Sequence, residues 1–142
     1  ESVYLYPSLC FFEGTIVSVG RGTESPFQVY GHPSMKEEFC FTPKQAEGRK
    51  APLLCNQICH GENLIEFAHN HKRNKKELNL SWLINAYNQL KDNEKFFNNF
   101  LVKLTGTKDF EQQIFDKNHL IDHLQKQNSF QSNINANHYH II

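Results

Sequence analysis

The residues best suited to chemistry lie close together between positions 5 and 33 of the 142-residue chain. Their polar side chains are Glu13, Thr15, Ser18, Arg21, Thr23 and His32. Gly20 and Gly22 flank Arg21, and glycine lets a backbone take positive φ and approach a ligand closely. Loops of this kind, held between more regular elements, concentrate binding residues. This segment is therefore the first candidate for a functional site.

Two charged side chains of the segment, Arg21 and Glu13, offer specific chemistry. The guanidinium of Arg21 can bind a carboxylate through two parallel hydrogen bonds, which selects both charge and geometry. An ion pair with Glu13 that braces the loop is the structural alternative, and the two roles can coexist. Glu13 is either a second carboxylate in a cleft or a helix-end partner of an arginine. Ser18 and Thr23 can donate to ligand hydroxyls, with capping and turn formation as the alternative.

The strand that follows this loop would extend to His32, and side chains alternate between the two faces of a strand. Phe27 and Val29 share one face, which we expect to lie in the core. Gln28, Tyr30 and His32 share the other face. Tyr30 and His32 are therefore candidate ligand contacts, with a solvent-facing strand side or a partner-domain contact as the alternatives.

The elements that must position these residues are predicted to be strands in the first half, where short apolar runs alternate with glycines and prolines. One or two helical turns are expected at Ser8–Glu13, with Ser8 as N-cap and Gly14 just past the end. The predicted strands are Val3–Tyr6, Phe27–Tyr30, Glu38–Phe41 and Leu64–Ala68.

The second half has a helical apolar period. One stripe comprises Leu80, Leu83, Ile84, Tyr87 and Leu90, and Asn79 is its expected N-cap. Further helices are expected at Asn93–Leu104, around Phe110 and Ile114, and over Leu120–Leu124. Strands followed by helices indicate an α+β fold. We expect a small mixed β-sheet from the N-terminal half, with several helices from the C-terminal half packed on it.

Composition argues against two kinds of partner. Fifteen basic residues balance fifteen acidic ones, so no bulk field attracts nucleic acid or an anionic membrane surface. No apolar run reaches the roughly 20 residues that span a bilayer. The length predicts a single domain. The chain opens at Glu1 directly on an apolar segment, so we expect a further domain upstream, lost together with any targeting signal.

Four cysteines are too few for a disulfide scaffold in a chain of this length. Cys10 and Cys40 lie between apolar neighbours, which predicts small buried hydrophobes. Cys55, Cys59 and His60, with His69 and His71 nearby, contain enough ligand types for a structural zinc site. The spacing is looser than a C-x2-C pair, so zinc is the alternative chemistry and no metal is assigned.

One stretch of the sequence resembles a known family. Residues 6–15 read YPSLCFFEGT, residues 18–23 read SVGRGT and residues 26–28 read PFQ. In this order they resemble the signature of the C-terminal domain of NamZ-type peptidoglycan exo-β-N-acetylmuramidases. Shorter matches are FTP at 41–43, CHG at 59–61, LNLSWLI at 78–84 and LTG at 104–106. The terminus 139–142 departs from the family, which tends to carry a tryptophan and basic residues before its end.

The resemblance implies a parent protein of two domains, with an N-terminal Rossmann-like domain missing from this chain and an active site in the cleft between them. Such proteins release N-acetylmuramic acid from non-reducing ends of peptidoglycan, so we expect a periplasmic or extracellular parent. The principal catalytic glutamate belongs to the N-terminal domain. No catalytic residue is therefore assigned here beyond Glu13 as a candidate, the isolated chain is expected to be inactive, and no cofactor is expected.

The resemblance also assigns roles to the polar segment. N-Acetylmuramic acid carries a lactyl ether with a carboxylate, which Arg21 can bind, and the other predicted substrate-binding residues are Ser18, Thr23, Tyr30 and His32. The expected partners are the N-terminal catalytic domain and the peptidoglycan sugar. The alternative is a carbohydrate-binding or purely structural module packed on a partner domain. What distinguishes the two is whether Arg21 is open to a ligand or covered by its own domain.

Overall fold

The computed structural model describes residues 2–71, 78–92 and 95–117. The chain divides into two compact units, Glu1–Thr107 and Lys108–Ile142. In the second unit residues 110–117 are helical and Ile114 is buried, as its spacing from Phe110 predicted. The helix expected at Leu120–Leu124 lies outside the described residues.

The first unit is α+β, which confirms the predicted class. Its helices are α1 (Ser2–Leu9), a 3-10 helix (Cys10–Gly14), α2 (Ile65–His71), α3 (Ser81–Leu90) and α4 (Phe100–Thr105), and its strands are β1 (Val29–His32), β2 (Phe39–Phe41) and β3 (Cys59–Asn63). The strand order is β1-β3-β2, and both pairings are antiparallel. The sheet is therefore antiparallel rather than mixed, and the N-terminal half contributes helices as well as strands.

Helix α1 replaces the strand predicted at Val3–Tyr6. Leu5 and Leu9 are buried one helical turn apart, whereas Val3 and Tyr4 are exposed, so burial follows the helical period. The apolar segment Val3–Tyr6 has only four residues before Pro7, which is too few to show the helical period. The predicted N-cap role of Ser8 is also wrong, because Ser8 lies inside α1 and its hydroxyl accepts a hydrogen bond from the Asn79 backbone.

Helix α2 likewise replaces the strand predicted at Leu64–Ala68. Leu64 and Ala68 are both buried and lie four residues apart, the spacing of one helix face. The strand is instead β3, which ends at Asn63, whose side chain accepts a hydrogen bond from the Ile65 backbone N–H (3.0 Å). The prediction missed β3 because Gly61 at its centre is a residue that strands disfavour.

Helix α3 forms as its stripe predicted. The Asn79 side chain accepts hydrogen bonds from the backbone N–H (2.9 Å) and hydroxyl (2.6 Å) of Ser81, the first helical residue. The N-cap position itself is Leu80, so the predicted cap is one residue too early. The helix predicted from residue 93 begins only at Phe100. Phe96 and Phe97 precede it, with a β-bridge between Phe97 and Thr15. No helix in the described parts of the chain is long and apolar enough to cross a membrane.

Candidate functional site

The 3-10 helix carries Glu13 out of the core. Leu9, just before this helix, and Phe12, within it, are fully buried, which fixes the direction of the turn. Gly14 packs so closely on α4 that an added Cβ would lie 2.8 Å from the Leu101 Cα. Because both flanks of Glu13 are held in this way, its backbone has little freedom, while 22% of its side chain stays exposed.

The loop that bears Arg21 is closed at its base by two backbone contacts. Ser18 and Gly31 exchange a pair of hydrogen bonds (2.9 and 3.0 Å) along the free edge of β1, and the Phe27 N–H donates to the Val19 carbonyl (2.8 Å). The loop is therefore anchored to the sheet, and Arg21 lies at its exposed end.

Both glycines that flank Arg21 have positive φ, 74° at Gly20 and 83° at Gly22, as predicted. Their close neighbours belong to the domain itself. An added Cβ on Gly20 would lie 2.5 Å from Val29 Cγ2, and one on Gly22 would lie 2.8 Å from Pro52 Cγ. These glycines therefore allow tight packing of the loop on its own domain. The close approach of the loop backbone to a ligand stays a prediction.

Arg21 and Glu13 form an ion pair of defined geometry. Nε (3.0 Å) and Nη2 (2.6 Å) of Arg21 both donate to Oε1 of Glu13. The guanidinium carbon lies 4.7 Å from the centroid of the Phe27 ring, a cation–π distance. The Glu13 carboxylate binds one edge of the guanidinium, and the Phe27 ring lies over one of its faces. The orientation of the guanidinium is therefore constrained from two directions.

The opposite edge of the guanidinium has no acceptor among the described residues and is called the open edge below. Glu13 occupies the fork formed by Nε and Nη2, which leaves Nη1 and the second proton of Nη2 as another parallel donor pair. Within residues 2–71, 78–92 and 95–117 nothing accepts from Nη1, and 56% of the Arg21 side chain is exposed. The bracing ion pair and a ligand-binding role are therefore compatible, and Arg21 is not covered by its own domain.

The hydroxyls of Ser18 and Thr23 form hydrogen bonds with the backbone of the loop. Ser18 is buried, and its hydroxyl accepts from the Gly20 N–H (3.3 Å). Thr23 donates to the Gly20 carbonyl (2.7 Å) and accepts from the Ser25 N–H (3.1 Å). This is the turn-forming role that the sequence left open, and contact of either hydroxyl with a sugar stays a prediction.

Tyr30 and His32 lie deeper than the sequence suggested. Their relative exposures are 0% and 4%, so both side chains are buried and the strand face that carries them is not solvent-facing. Tyr30 stacks on Phe12 with ring centroids 4.8 Å apart, and His32 Nδ1 accepts from the Ser34 N–H (3.2 Å). Their predicted sugar contacts are untested, and the contacts present are structural.

The sequence analysis did not predict a polar network that joins the sheet to α3. Tyr30 donates to Glu62 on the paired strand β3, and Asn85 of α3 donates to the same carboxylate (3.3 Å). Gln89, one turn later, donates to Glu37 (2.7 Å). Burial, then the Glu62 hydrogen bond, raises the pKa of Tyr30 above its usual 10.0. The sequence contains one sign of this network, because Asn85 and Gln89 are four residues apart and share a helix face. Since β3 was not predicted, no partner for these two side chains could be named.

Cys55, Cys59, His60 and His69 form no metal centre with one another or with the other described side chains. Among the described residues no group of three or more histidine, cysteine or acidic side chains could hold a metal; the side chain of His71 is not among them. Cys59 is buried with its thiol directed at the Gln57 carbonyl (3.8 Å), and His60 Nδ1 lies 3.2 Å from the Glu37 carbonyl.

All four cysteines are free thiols. Cys10 is half-buried, and burial raises its pKa. The burial predicted for Cys40 is wrong, because Cys40 is exposed at the centre of β2 while its strand neighbours are less so. The alternation of the strand, and not the apolar neighbours, decides which way the thiol points.

Thiol reactivity should follow this difference in burial. Burial raises the pKa of Cys59 from 9.0 to about 11, so at pH 8 only about a thousandth of it is the reactive thiolate. With a chromogenic disulfide at pH 8, we expect Cys40 to react in the native protein and Cys59 only after denaturation, with labelled peptides identified by mass spectrometry. Cys40→Ser should remove a native-state equivalent. Rapid native labelling of Cys59 would contradict its buried position.

Comparison with known proteins supplies the family. The model for the C-terminal domain of the exo-β-N-acetylmuramidase NamZ matches residues 4–136. A crystal structure of a DUF1343 family protein from Bacteroides fragilis NCTC 9343 is similar, with a TM-score of 0.67 and 43% sequence identity. The similarity covers 80% of this chain and 32% of that protein, so the chain spans about a third of that protein's length. No curated protein matches.

Proposed function

The chain belongs to the family of NamZ C-terminal domains, and on this premise we propose that it is the substrate-recognition half of a two-domain glycosidase. The parent would release N-acetylmuramic acid from non-reducing ends of peptidoglycan, outside the cytoplasm. Glycoside hydrolysis normally uses two carboxyl groups. We assign the principal one to an N-terminal partner domain, since two thirds of the similar solved protein lies beyond the matched region.

The observation that carries this proposal is the open donor edge of Arg21. The lactyl carboxylate distinguishes N-acetylmuramic acid from N-acetylglucosamine, and a planar pair of N–H donors matches a carboxylate in both charge and shape. Glu13 and Phe27 hold the guanidinium in place before a ligand arrives. A donor pair that is already oriented loses less conformational entropy on binding.

In this proposal Glu13 orients Arg21 and is not the catalytic acid. Its Oε1 accepts both donors of one guanidinium fork, and its charge offsets part of the arginine's charge. The site then attracts anions in general only weakly, and discrimination depends on the geometry of the remaining fork. Glu13 Oε2 has no partner in the described parts of the chain, so it can accept from a sugar hydroxyl.

A second role, packing on the partner domain, is favoured by the outer face of α1. Val3, Tyr4 and Tyr6 have relative exposures of 80%, 58% and 48%, unusual for three apolar or aromatic residues so close together. Burial of this face against another domain would stabilise the pair of domains. It does not exclude sugar recognition by Arg21, and a purely structural module would show this face without a need for the open fork.

We expect residues 1–142 alone to fold but not to turn over substrate, because the principal carboxylate is assigned to the partner domain. A chromogenic muramic acid glycoside should be hydrolysed by the full-length protein, while the isolated chain gives no release above buffer. Circular dichroism of the isolated chain checks that it is folded. Sustained turnover by the isolated chain would overturn the two-domain proposal.

A further inference from the structure

The residue that ties the Glu13 turn to α4 is Asn98. Its backbone N–H donates to the Gly14 carbonyl (2.9 Å). Its side-chain Nδ2 donates to the carbonyls of Glu13 (3.3 Å) and Thr15 (3.1 Å). One residue therefore holds three consecutive carbonyl groups, those of residues 13, 14 and 15, on the turn that presents the Glu13 carboxylate.

The other end of the Asn98 side chain faces the helix. Oδ1 accepts from the Phe100 N–H (2.8 Å), and the Asn98 carbonyl accepts from the Leu101 N–H (3.2 Å). Such a bond satisfies one of the N–H groups left free at a helix start. Because the amide is planar and both ends are engaged, the start of α4 fixes where the Glu13 turn lies.

We propose that Asn98 is a positioning residue for the Arg21 site, acting through Glu13 without touching the ligand. This inference rests on the proposed function. Glu13 fixes the guanidinium through a single oxygen, so a shift of its backbone moves the acceptor and turns the open fork. Donors misplaced by about 1 Å cost a large part of an oriented interaction. In this proposal Asn98 influences how selectively Arg21, far from it in sequence, binds a ligand carboxylate.

Asn98→Asp is the informative variant. It keeps an oxygen that can accept from the Phe100 N–H, because a carboxylate oxygen accepts hydrogen bonds as an amide oxygen does. It removes the Nδ2 donor and sets a second oxygen against the carbonyls of Glu13 and Thr15. Asn99→Asp is the matched control, since Asn99 is the adjacent residue and makes no side-chain capping bond. Both variants add one negative charge at almost the same place.

The first readout is the Nε–H of Arg21, followed by NMR in the full-length protein. In the wild type this proton is bonded to Glu13 and should exchange slowly with water. Asn98→Asp should speed its exchange at least several-fold, whereas Asn99→Asp should leave it unchanged. This readout does not depend on what the site binds. Unchanged exchange in Asn98→Asp would overturn the positioning role, even if the variant melts at a lower temperature.

The second readout is selectivity, the ratio of kcat/KM for a muramic acid glycoside to that for the matching glucosaminide. Asn98→Asp should lower this ratio about three- to tenfold, and it should cause no further loss in an Arg21→Lys background, because both changes act on one fork. A lower melting temperature with an unchanged ratio would make Asn98 purely structural. If Arg21→Lys itself leaves the ratio unchanged, the proposed function fails, and the exchange measurement alone decides the role of Asn98.

Discussion

Gly61→Ala should prevent the first unit from folding. Gly61 lies at the centre of β3, opposite Gly31 of β1. An added Cβ would overlap the Tyr30 carbonyl oxygen and lie 2.6 Å from the Gly31 Cα. Both neighbours are backbone atoms of a paired strand, so they cannot move without breaking the ladder. A cost above about 4 kcal/mol is expected, comparable with the whole stability of a marginal domain.

Gly48→Ala is the matched control for this change. Gly48, unlike Gly61, has positive φ (71°), and no atom lies within 4 Å of an added Cβ. Its substitution carries only the backbone penalty, about 1 kcal/mol. Urea unfolding of both variants, with soluble yield as a first indication, separates the two costs. A Gly61→Ala protein that unfolds within 1 kcal/mol of Gly48→Ala would contradict the close strand pairing.

The sequence predicted α3 well and the N-terminal elements poorly, for physical reasons. Ten residues of α3 display nearly three turns of an amphipathic period, and Asn79 binds the first helical N–H from one residue before the N-cap Leu80. Helices α1 and α2 are shorter, and their apolar runs fit a strand equally well. Strand β3 contains Gly61 because two backbones meet there, which is a tertiary requirement that no local pattern expresses.

The candidate site could be predicted in part. The glycines around Arg21 and the ion-pair alternative with Glu13 were visible in the sequence, and the structure brings the two residues together. The burial of Tyr30 was not visible, because its hydroxyl is bonded to Glu62 of β3, which also binds Asn85 of α3. Asn98 was missed for the same reason, since it acts on a turn more than eighty residues earlier.

Arg21→Lys should damage selectivity far more than stability. Lysine keeps the positive charge but loses the planar fork, so it cannot bind Glu13 and a ligand carboxylate through separate donor pairs. The lost charge-assisted hydrogen bond should cost roughly 1.5–3 kcal/mol, about ten- to a hundred-fold in kcat/KM for muramic acid substrates. The unfolding free energy should change little, because exposed ion pairs contribute about 0.2–1 kcal/mol.

Arg49→Lys provides the matched control, since Arg49 is exposed in a surface turn and undergoes the same chemical change. It should leave both kinetics and stability as in the wild type. A glucosaminide that lacks the lactyl carboxylate should lose little on Arg21→Lys, because the open fork has no carboxylate to bind there. The substrate difference therefore isolates the carboxylate contact from any general effect on the enzyme.

The most direct test is the ratio of kcat/KM for the muramic acid glycoside to that for the glucosaminide, measured in full-length wild type and Arg21→Lys. If the open fork of Arg21 binds the lactyl carboxylate, this ratio falls about ten- to a hundred-fold while the melting temperature stays nearly constant. If both substrates slow equally and the protein loses stability sharply, Arg21 is only a brace for Glu13, and the substrate-recognition role is wrong.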